Sequence, residues 1–235
     1  MTMTTSPLGT ITQRPARYDL YSAIHRALRL LMTDTLARLG RLDVNDRHEL
    51  TAALQQLEAT LRLSRNHLAH ENQFVHAAIE AREPGATQRI GSEHQDQLDT
   101  IAALQSEAKA LGQAPTTPAA LRLYRHLSRY VSDAFEHMHA EETQLNPILW
   151  AHYSDEQILA IEQEATDAAT PDDRALILRW MTLAITPIER AWRYALLQRK
   201  LGAEDYEHAL VIAQEVLDAR SWNKLRWALG MTAAA

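Results

Sequence analysis

Two short stretches of the chain place histidine and glutamate at a spacing that suits metal binding. They read Asn66-His-Leu-Ala-His-Glu71 and Phe135-Glu-His-Met-His-Ala-Glu-Glu142. In the first, His67 is followed four residues later by Glu71, and in the second His137 is followed by Glu141. Residues four apart on an α-helix lie on the same face. An imidazole and a carboxylate placed in this way can bind one cation together.

Two further histidines occupy apolar faces of other predicted helices. His25 extends the stripe of Leu28 by one turn, and His94 lies between Ile90 and Leu98. Burying four imidazoles and two carboxylates without partners would cost about 1–3 kcal/mol for each group. A metal that accepts their lone pairs removes this cost. The combined pattern therefore predicts a metal site among several helices.

The composition predicts an all-α protein. Of the 235 residues, 46% are hydrophobic and only 7 are glycine and 8 proline, which leaves few turns for an all-β fold. The absence of cysteine excludes disulfides, thiolate ligands and iron–sulfur clusters, and it suits a cytoplasmic location. A net charge of −6 argues against a nucleic-acid partner. The longest apolar stretch, residues 177–188, is too short to span a membrane, and we expect a soluble protein.

The apolar periodicity divides the chain into three parts. Residues 1–17 are predicted to be a disordered tail, 18–152 a four-helix bundle with the metal site, and 153–235 a helical extension. The bundle helices are expected at about 18–39, 47–82, 87–111 and 118–150. Their short connections predict an antiparallel up-and-down bundle.

The extension shows helical patterns but no histidine that is followed four residues later by a glutamate. The patterns fall at about 155–168, 172–184, 188–201, 203–219 and 221–229, with four tryptophans among them. We interpret this segment as packing on the bundle or forming a homodimer contact.

The predicted ligand set narrows the choice of metal. Imidazole and carboxylate without sulfur suit Fe, Mn or Zn rather than Cu(I). Six side chains exceed the four that a tetrahedral zinc uses, and they suit a dinuclear centre if both glutamates bridge. A ferritin-like site needs Glu-x-x-His on two helices, and only Glu136 with His139 has that spacing.

The order of these residues, with Pro147 near the end of the fourth helix, resembles the hemerythrin-like HHE cation-binding family over about residues 18–150. The resemblance implies a four-helix bundle with two non-haem iron ions bridged by two carboxylates and an oxo or hydroxo group, with Zn or Mn as other possible metals. It implies four terminal ligands and two bridging ones: His25, His67, His94 and His137, and Glu71 and Glu141.

The chain departs from the oxygen-carrying hemerythrins at one position. Those proteins have His-x-x-x-His on the third helix, whereas here the residue four after His94 is Leu98. This departure makes a dedicated oxygen carrier doubtful and places the chain nearer to family members associated with iron sensing or iron–sulfur cluster repair. The repair proteins also have a cysteine-containing N-terminal segment, which is missing here.

Several nearby polar residues leave alternatives open. His70 could donate a hydrogen bond to the site or replace a ligand, and Glu142 could take the place of Glu141. His139 is expected to point away from the site. The remaining histidines are interpreted as surface or helix-end residues: His48, His76, His126, His152 and His208.

The sequence favours a binding protein over an enzyme, and no residue is assigned a catalytic role. We expect a di-iron protein that binds or senses a small diatomic ligand, O2 or NO, or iron itself. One alternative is a di-iron oxidoreductase acting on peroxide or nitric oxide. Another is a structural or interaction protein whose site holds zinc or no metal.

Overall fold

The computed structural model describes residues 17–231, and all regular structure in this range is helical. The nine helices in this range are α1 (Leu20–Gly40), α2 (Arg47–His70, continued by the π-helical segment Glu71–His76 and by Ala77–Glu80), α3 (Gln88–Gln113), α4 (Thr117–Ala140, continued by the π-helical segment Glu141–Leu145 and by Asn146–His152), α5 (Asp155–Ala168), α6 (Pro171–Ala184), α7 (Pro187–Lys200), α8 (Ala203–Val216) and α9 (Ala219–Ala228). The predicted disordered tail lies outside the described residues, apart from Arg17. The predicted all-α class is confirmed.

The described chain forms two compact units. The first comprises residues 19–170 with α1 to α5, and the second comprises residues 171–231 with Arg17 and Tyr18. Helix α5 therefore belongs to the unit that contains the bundle, packing against α1 and the π-helical segment of α2. The sequence-based division after residue 152 places α5 in the extension, and that division stays a prediction.

Helices α1 to α4 form a four-helix bundle in which each helix packs on two neighbours. Helix α1 contacts α2 and α4, and α3 contacts the same two helices. The connections at 41–46, 81–87 and 114–116 are short, so consecutive helices run in opposite directions. The start of α1 therefore lies at the same end of the bundle as the end of α2, the start of α3 and the end of α4.

Side-chain caps define where three of these helices begin. Asp19 accepts hydrogen bonds from the backbone N–H groups of Tyr21 and Ser22, and Asp46 does the same for the first turn of α2. Thr116 accepts from the N–H of Ala119 at the start of α4. Each cap satisfies backbone donors that the first helical turn leaves without partners.

Leucine and isoleucine fill the half of the bundle away from the histidines. These side chains have at most 1% of their surface exposed: Leu31, Leu57, Leu61, Ile101, Leu104, Leu111, Leu123 and Leu127. Burying each contributes about 1.5–3 kcal/mol. This packed core holds the four helix backbones in place, and so it positions polar side chains at the other end.

The second unit has its own core. It consists of Ala191, Tyr194, Ala209, Ala213 and Leu225. The buried guanidinium of Arg190 donates to the carbonyl oxygens of Thr182 at 2.7 Å and Ile185 at 3.1 Å, satisfying the last turn of α6. Among residues 17–231, no helix combines the length and the apolar character that crossing a membrane requires.

Candidate metal centre

Helices α2 and α4 both widen into a π-helical segment at the glutamate of the His-x-x-x-Glu pair. The first segment begins at Glu71 and the second at Glu141. Such segments form hydrogen bonds from residue i to i+5, and they occur frequently at functional sites. In α4, Pro147 follows the segment, and a proline without an N–H cannot continue the regular α-helical ladder behind it.

The structure brings together all six residues predicted as metal ligands. Their donor atoms form two groups, and within each group all the atoms lie within 4.8 Å of one another. One group contains His25 and His67, the other contains His94 and His137, and both contain Glu71 and Glu141. All are buried except His67, whose side chain is 14% exposed. Their assignment as metal ligands stays a prediction.

Each shared carboxylate presents one oxygen to each group. Glu71 Oε1 lies 3.0 Å from His67 Nε2 and 3.5 Å from His25 Nε2, whereas its Oε2 lies 3.9 Å from His94 Nε2. Glu141 Oε2 lies 3.5 Å from His25 Nε2, and its Oε1 lies 3.4 Å from His137 Nε2. This division of oxygens is the arrangement that two carboxylates need to bridge a pair of cations.

Three of the histidines are oriented by acceptors on their other ring nitrogen. The Nδ1 atoms of His25, His94 and His137 lie 3.0, 2.9 and 2.9 Å from oxygens that belong to Glu142, Asn72 and Glu93, respectively. Since carboxylate and amide oxygens accept, each Nδ1 donates. The Nε2 atoms of these three rings then face the cluster, as metal-binding histidines require.

The buried donor atoms fit a metal because hydrogen bonds within the described chain leave many of them unsatisfied. The Nε2 atoms of His25 and His67 and all four carboxylate oxygens of Glu71 and Glu141 have no hydrogen-bond partner. Leaving such buried groups unpaired costs about 1–3 kcal/mol each. Bonds of about 2.0–2.1 Å to a common cation would place neighbouring donors roughly 3.0–3.4 Å apart. Several observed separations lie close to that range, including 2.9 Å between the Nε2 atoms of His94 and His137.

The cluster holds its carboxylates ionised. Burial and the charge of Glu141 raise the pKa of Glu71, but His67 and His25 outweigh them and lower this pKa to about 2. The surrounding imidazoles likewise hold the pKa of Glu141 well below its ordinary value, against the effect of burial. Burial lowers the pKa of His25, but its contacts with Glu142 and Glu71 raise it to about 9. Two buried carboxylates are therefore negative at neutral pH, and a cation bound at His25 Nε2 would displace the proton that this raised pKa retains.

A comparison with protein-family models gives a match that covers more than half of the chain. The hemerythrin HHE cation-binding domain matches residues 17–149. This chain belongs to the hemerythrin HHE cation-binding domain family. Searches of curated proteins and of solved structures gave no match. The resemblance that the sequence predicted is confirmed, and all the residues of both donor groups lie within the HHE domain.

One site residue of this HHE domain was missed by the sequence analysis. His76, interpreted there as a surface or helix-end residue, is 5% exposed, and its Nε2 lies 3.8 Å from Glu141 Oε1. That interpretation is wrong. In a regular α-helix residues five apart lie about 140° apart around the axis. The π-helical segment reduces this angle and turns His76 toward the side of Glu71.

The structure also locates the residues that the sequence left as alternatives in the HHE domain. Glu142 contacts the Nδ1 of His25 and belongs to neither donor group. His70 packs against Phe74, with ring centroids 6.2 Å apart, and belongs to neither donor group. His139 is exposed, as predicted. Of the other histidines, His48, His152 and His208 are exposed, and the half-buried His126 pairs with Glu107.

A small cavity lies beside His67 and His137, next to the two donor groups. Its volume of about 10 Å³ leaves room for about one water-sized molecule. Five of its ten lining residues are apolar, and the hydroxyl groups of Ser64 and Tyr130 and the amide of Gln97 line it together with the two imidazoles. The apolar lining consists of Leu28, Met32, Leu68, Ala134 and Met138. Burial raises the pKa of Tyr130 to about 12, so its hydroxyl stays protonated.

Proposed function

We propose that this HHE domain binds two iron ions and uses them to bind or sense a small diatomic ligand, O2 or NO. The observation that supports this most directly is the division of the carboxylate oxygens. Glu71 and Glu141 each direct one carboxylate oxygen toward the group with His25 and His67. The other oxygen of each carboxylate lies toward the group with His94 and His137. A single cation would leave half of this donor set unused.

The donor types permit iron, and the sharing of two carboxylates between two groups supports a di-iron centre. Imidazole and carboxylate donors without sulfur suit iron, manganese and zinc. At least four protein donors surround each position, and two of them are shared, as in helical-bundle di-iron carboxylate proteins. Two iron ions held here would supply reversible electron transfer and a coordination position for a small ligand.

The protein's own part in this function is to orient the histidine ligands and to limit which molecules reach the metal centre. Glu142, Asn72 and Glu93 fix the ring orientation of three histidines. The cavity beside His67 and His137 has room for about one small molecule and none for an organic substrate. Its five apolar residues disfavour charged ions, and the hydroxyl groups of Ser64 and Tyr130 and the amide of Gln97 can hydrogen-bond a small polar occupant. These features support a diatomic ligand as the occupant.

An oxidoreductase acting on peroxide or nitric oxide is the alternative function, since such ligands would fit the same cavity. The test is anaerobic titration of the reduced, iron-loaded protein with NO or O2, followed by absorption. We expect saturation at one ligand for each pair of iron ions and recovery of the starting spectrum when the ligand is removed. Many peroxide turnovers per centre, lost in His67→Ala, would instead establish the enzyme.

Two further predictions from the sequence remain part of this proposal. We infer a cytoplasmic protein, because the chain contains no cysteine. We also infer a homodimer through the second unit, where Trp227 is 69% exposed and lies beside Arg220 and Lys224. Size-exclusion chromatography with light scattering on the wild type and Trp227→Ser tests the homodimer.

A further inference from the structure

His76 is a buried histidine with a ring nitrogen that has no hydrogen-bond partner. The residue is 5% exposed, and its Nε2 is one of the buried atoms without a partner in the described chain. An imidazole nitrogen left in this state carries a desolvation cost of about 1–3 kcal/mol. A core histidine that served only packing would normally satisfy both nitrogens. The Nε2 of His76 therefore needs a partner other than the side chains of the described residues.

The unpartnered nitrogen points at an atom that other donors already surround. Glu141 Oε1 lies 3.8 Å from His76 Nε2, 3.7 Å from His94 Nε2 and 3.4 Å from His137 Nε2. The rings of His76 and His94 are stacked, with centroids 5.0 Å apart and planes inclined by 18°. Three imidazoles thus approach Glu141 Oε1, and His76 lies at the edge of the donor group that contains His94 and His137.

Helix α3 leaves space for the His76 ring. Gly91 lies opposite it, and a Cβ atom at Gly91 would stand 3.7 Å from His76 Nδ1. A side chain larger than alanine there would reach the imidazole. The glycine and the π-helical segment together allow His76 to occupy the interior of the bundle.

We propose that His76 is a metal ligand, the third histidine of the position that His94 and His137 form. The inference rests on the proposed two-metal function. With Glu71 Oε2 and Glu141 Oε1, this position then has five protein donors, whereas the position of His25 and His67 has four. The two metal positions are therefore chemically different, and each gives its own spectroscopic signal.

The test compares His76→Leu with wild type and with a matched control, His70→Leu, in the full-length chain. Leucine fills much of the space of the imidazole but has no lone pair. His70 lies on the same helix and belongs to neither donor group. Each protein is loaded anaerobically with ⁵⁷Fe(II), and iron per chain, iron affinity and the Mössbauer spectrum are measured. Circular dichroism of the metal-free proteins checks that each one folds.

We expect wild type and His70→Leu to hold two iron ions per chain and to show two distinct iron signals. His76→Leu should change one signal, leave the other, and weaken binding of one iron at least about tenfold, since even outer contacts to ligands contribute 10–100-fold. If His76→Leu does not fold, His76→Ala is measured in its place. A variant with wild-type affinity and an unchanged spectrum overturns the assignment of His76. Wild type that binds fewer than two metals overturns the proposed function itself.

Discussion

The Nδ1 of His25, near the start of α1, lies 3.0 Å from Oε1 of Glu142 in the π-helical segment of α4. Glu142 is held in turn by Arg29, whose guanidinium donates to both carboxylate oxygens at 2.6 and 3.1 Å. Burial raises the pKa of Glu142, but His25 and Arg29 outweigh it and lower this pKa to about 2. A negative carboxylate thus orients the His25 ring, whose Nε2 faces the carboxylates of Glu71 and Glu141.

Replacing Glu142 should weaken metal binding without removing a ligand. In Glu142→Gln the amide retains the size of the side chain but loses the charge that orients His25. We expect a 10–100-fold loss of iron affinity, the range typical of such contacts. Competition with a chelator measures it. The control is Glu136→Gln on the same helix, an exposed position that should bind iron as wild type does; equal affinities for all three proteins would contradict this role of Glu142.

Filling the cavity should block the ligand and leave the iron in place. Ala134 lines the cavity and is 2% exposed, so leucine at this position occupies its space. We expect Ala134→Leu to keep its iron, to bind NO at least about tenfold more weakly, and to lose about 1–3 kcal/mol of stability through overpacking. Absorption titration with NO measures the change.

The matched control for this substitution is Ala120→Leu. Ala120 is 7% exposed on the same helix, about 21 Å along the helix from Ala134, so its substitution overpacks the core far from the centre. It should bind NO as wild type does. If Ala134→Leu also binds NO normally, the cavity is not the ligand site.

Removing the metal should destabilise the unit that contains the bundle. A ligand at 100 times its dissociation constant stabilises the folded state by about 2.7 kcal/mol, which raises the Tm by roughly 5–10 °C for a unit of this size. We therefore expect chelation to lower the Tm of wild type by at least this amount. His137→Ala, which lacks a proposed ligand, should show a much smaller difference. Identical melting curves with and without chelator would show that no metal is bound to the folded protein.

Glu80 should make stability depend on acidity through the turn between α2 and α3. Its carboxylate accepts from the hydroxyl and N–H of Thr87 and from the N–H of Gly85, and these bonds lower its pKa from 4.5 to about 2. Because the folded-state pKa is the lower one, this stabilisation is complete above about pH 4.5 and is lost as pH falls toward 2. Glu80→Gln should therefore lower the Tm at pH 7 and have little effect at pH 2. The same loss at both pH values would contradict the assignment.

Periodicity and residue type were sufficient to predict most of this fold. The helices of the bundle begin where caps such as Asp46 stand, and His25 and His94 face inward because they continue apolar stripes. The family resemblance named the two glutamates as bridges, and the structure brings each of them between both pairs of histidines. These features follow from the α-helical repeat, which a sequence displays directly.

The sequence did not show the position of His76, because the α-helical repeat changes to a π-helical one at Glu71. His76 is five residues after Glu71, a spacing that places it away from the site on a regular α-helix and toward it on a π-helical segment. Nothing in the pattern of apolar residues around Glu71 signals the wider turn. Leu98 stands where oxygen-carrying hemerythrins have a histidine, but the nearness of His76 on another helix to Glu141 could be recognised only once the backbone was known. Glu93 and Asn72, which contact two of the histidines, depend on pairing between helices in the same way.

Counting the metal ions in each chain tests the proposed di-iron centre most directly. Elemental mass spectrometry gives iron and zinc per chain for protein expressed in iron-supplemented medium without added chelator. We predict about two iron ions per chain and little zinc. One zinc per chain, or no metal, would contradict it, and it would leave the two shared carboxylates and their histidines without the cations that their arrangement requires.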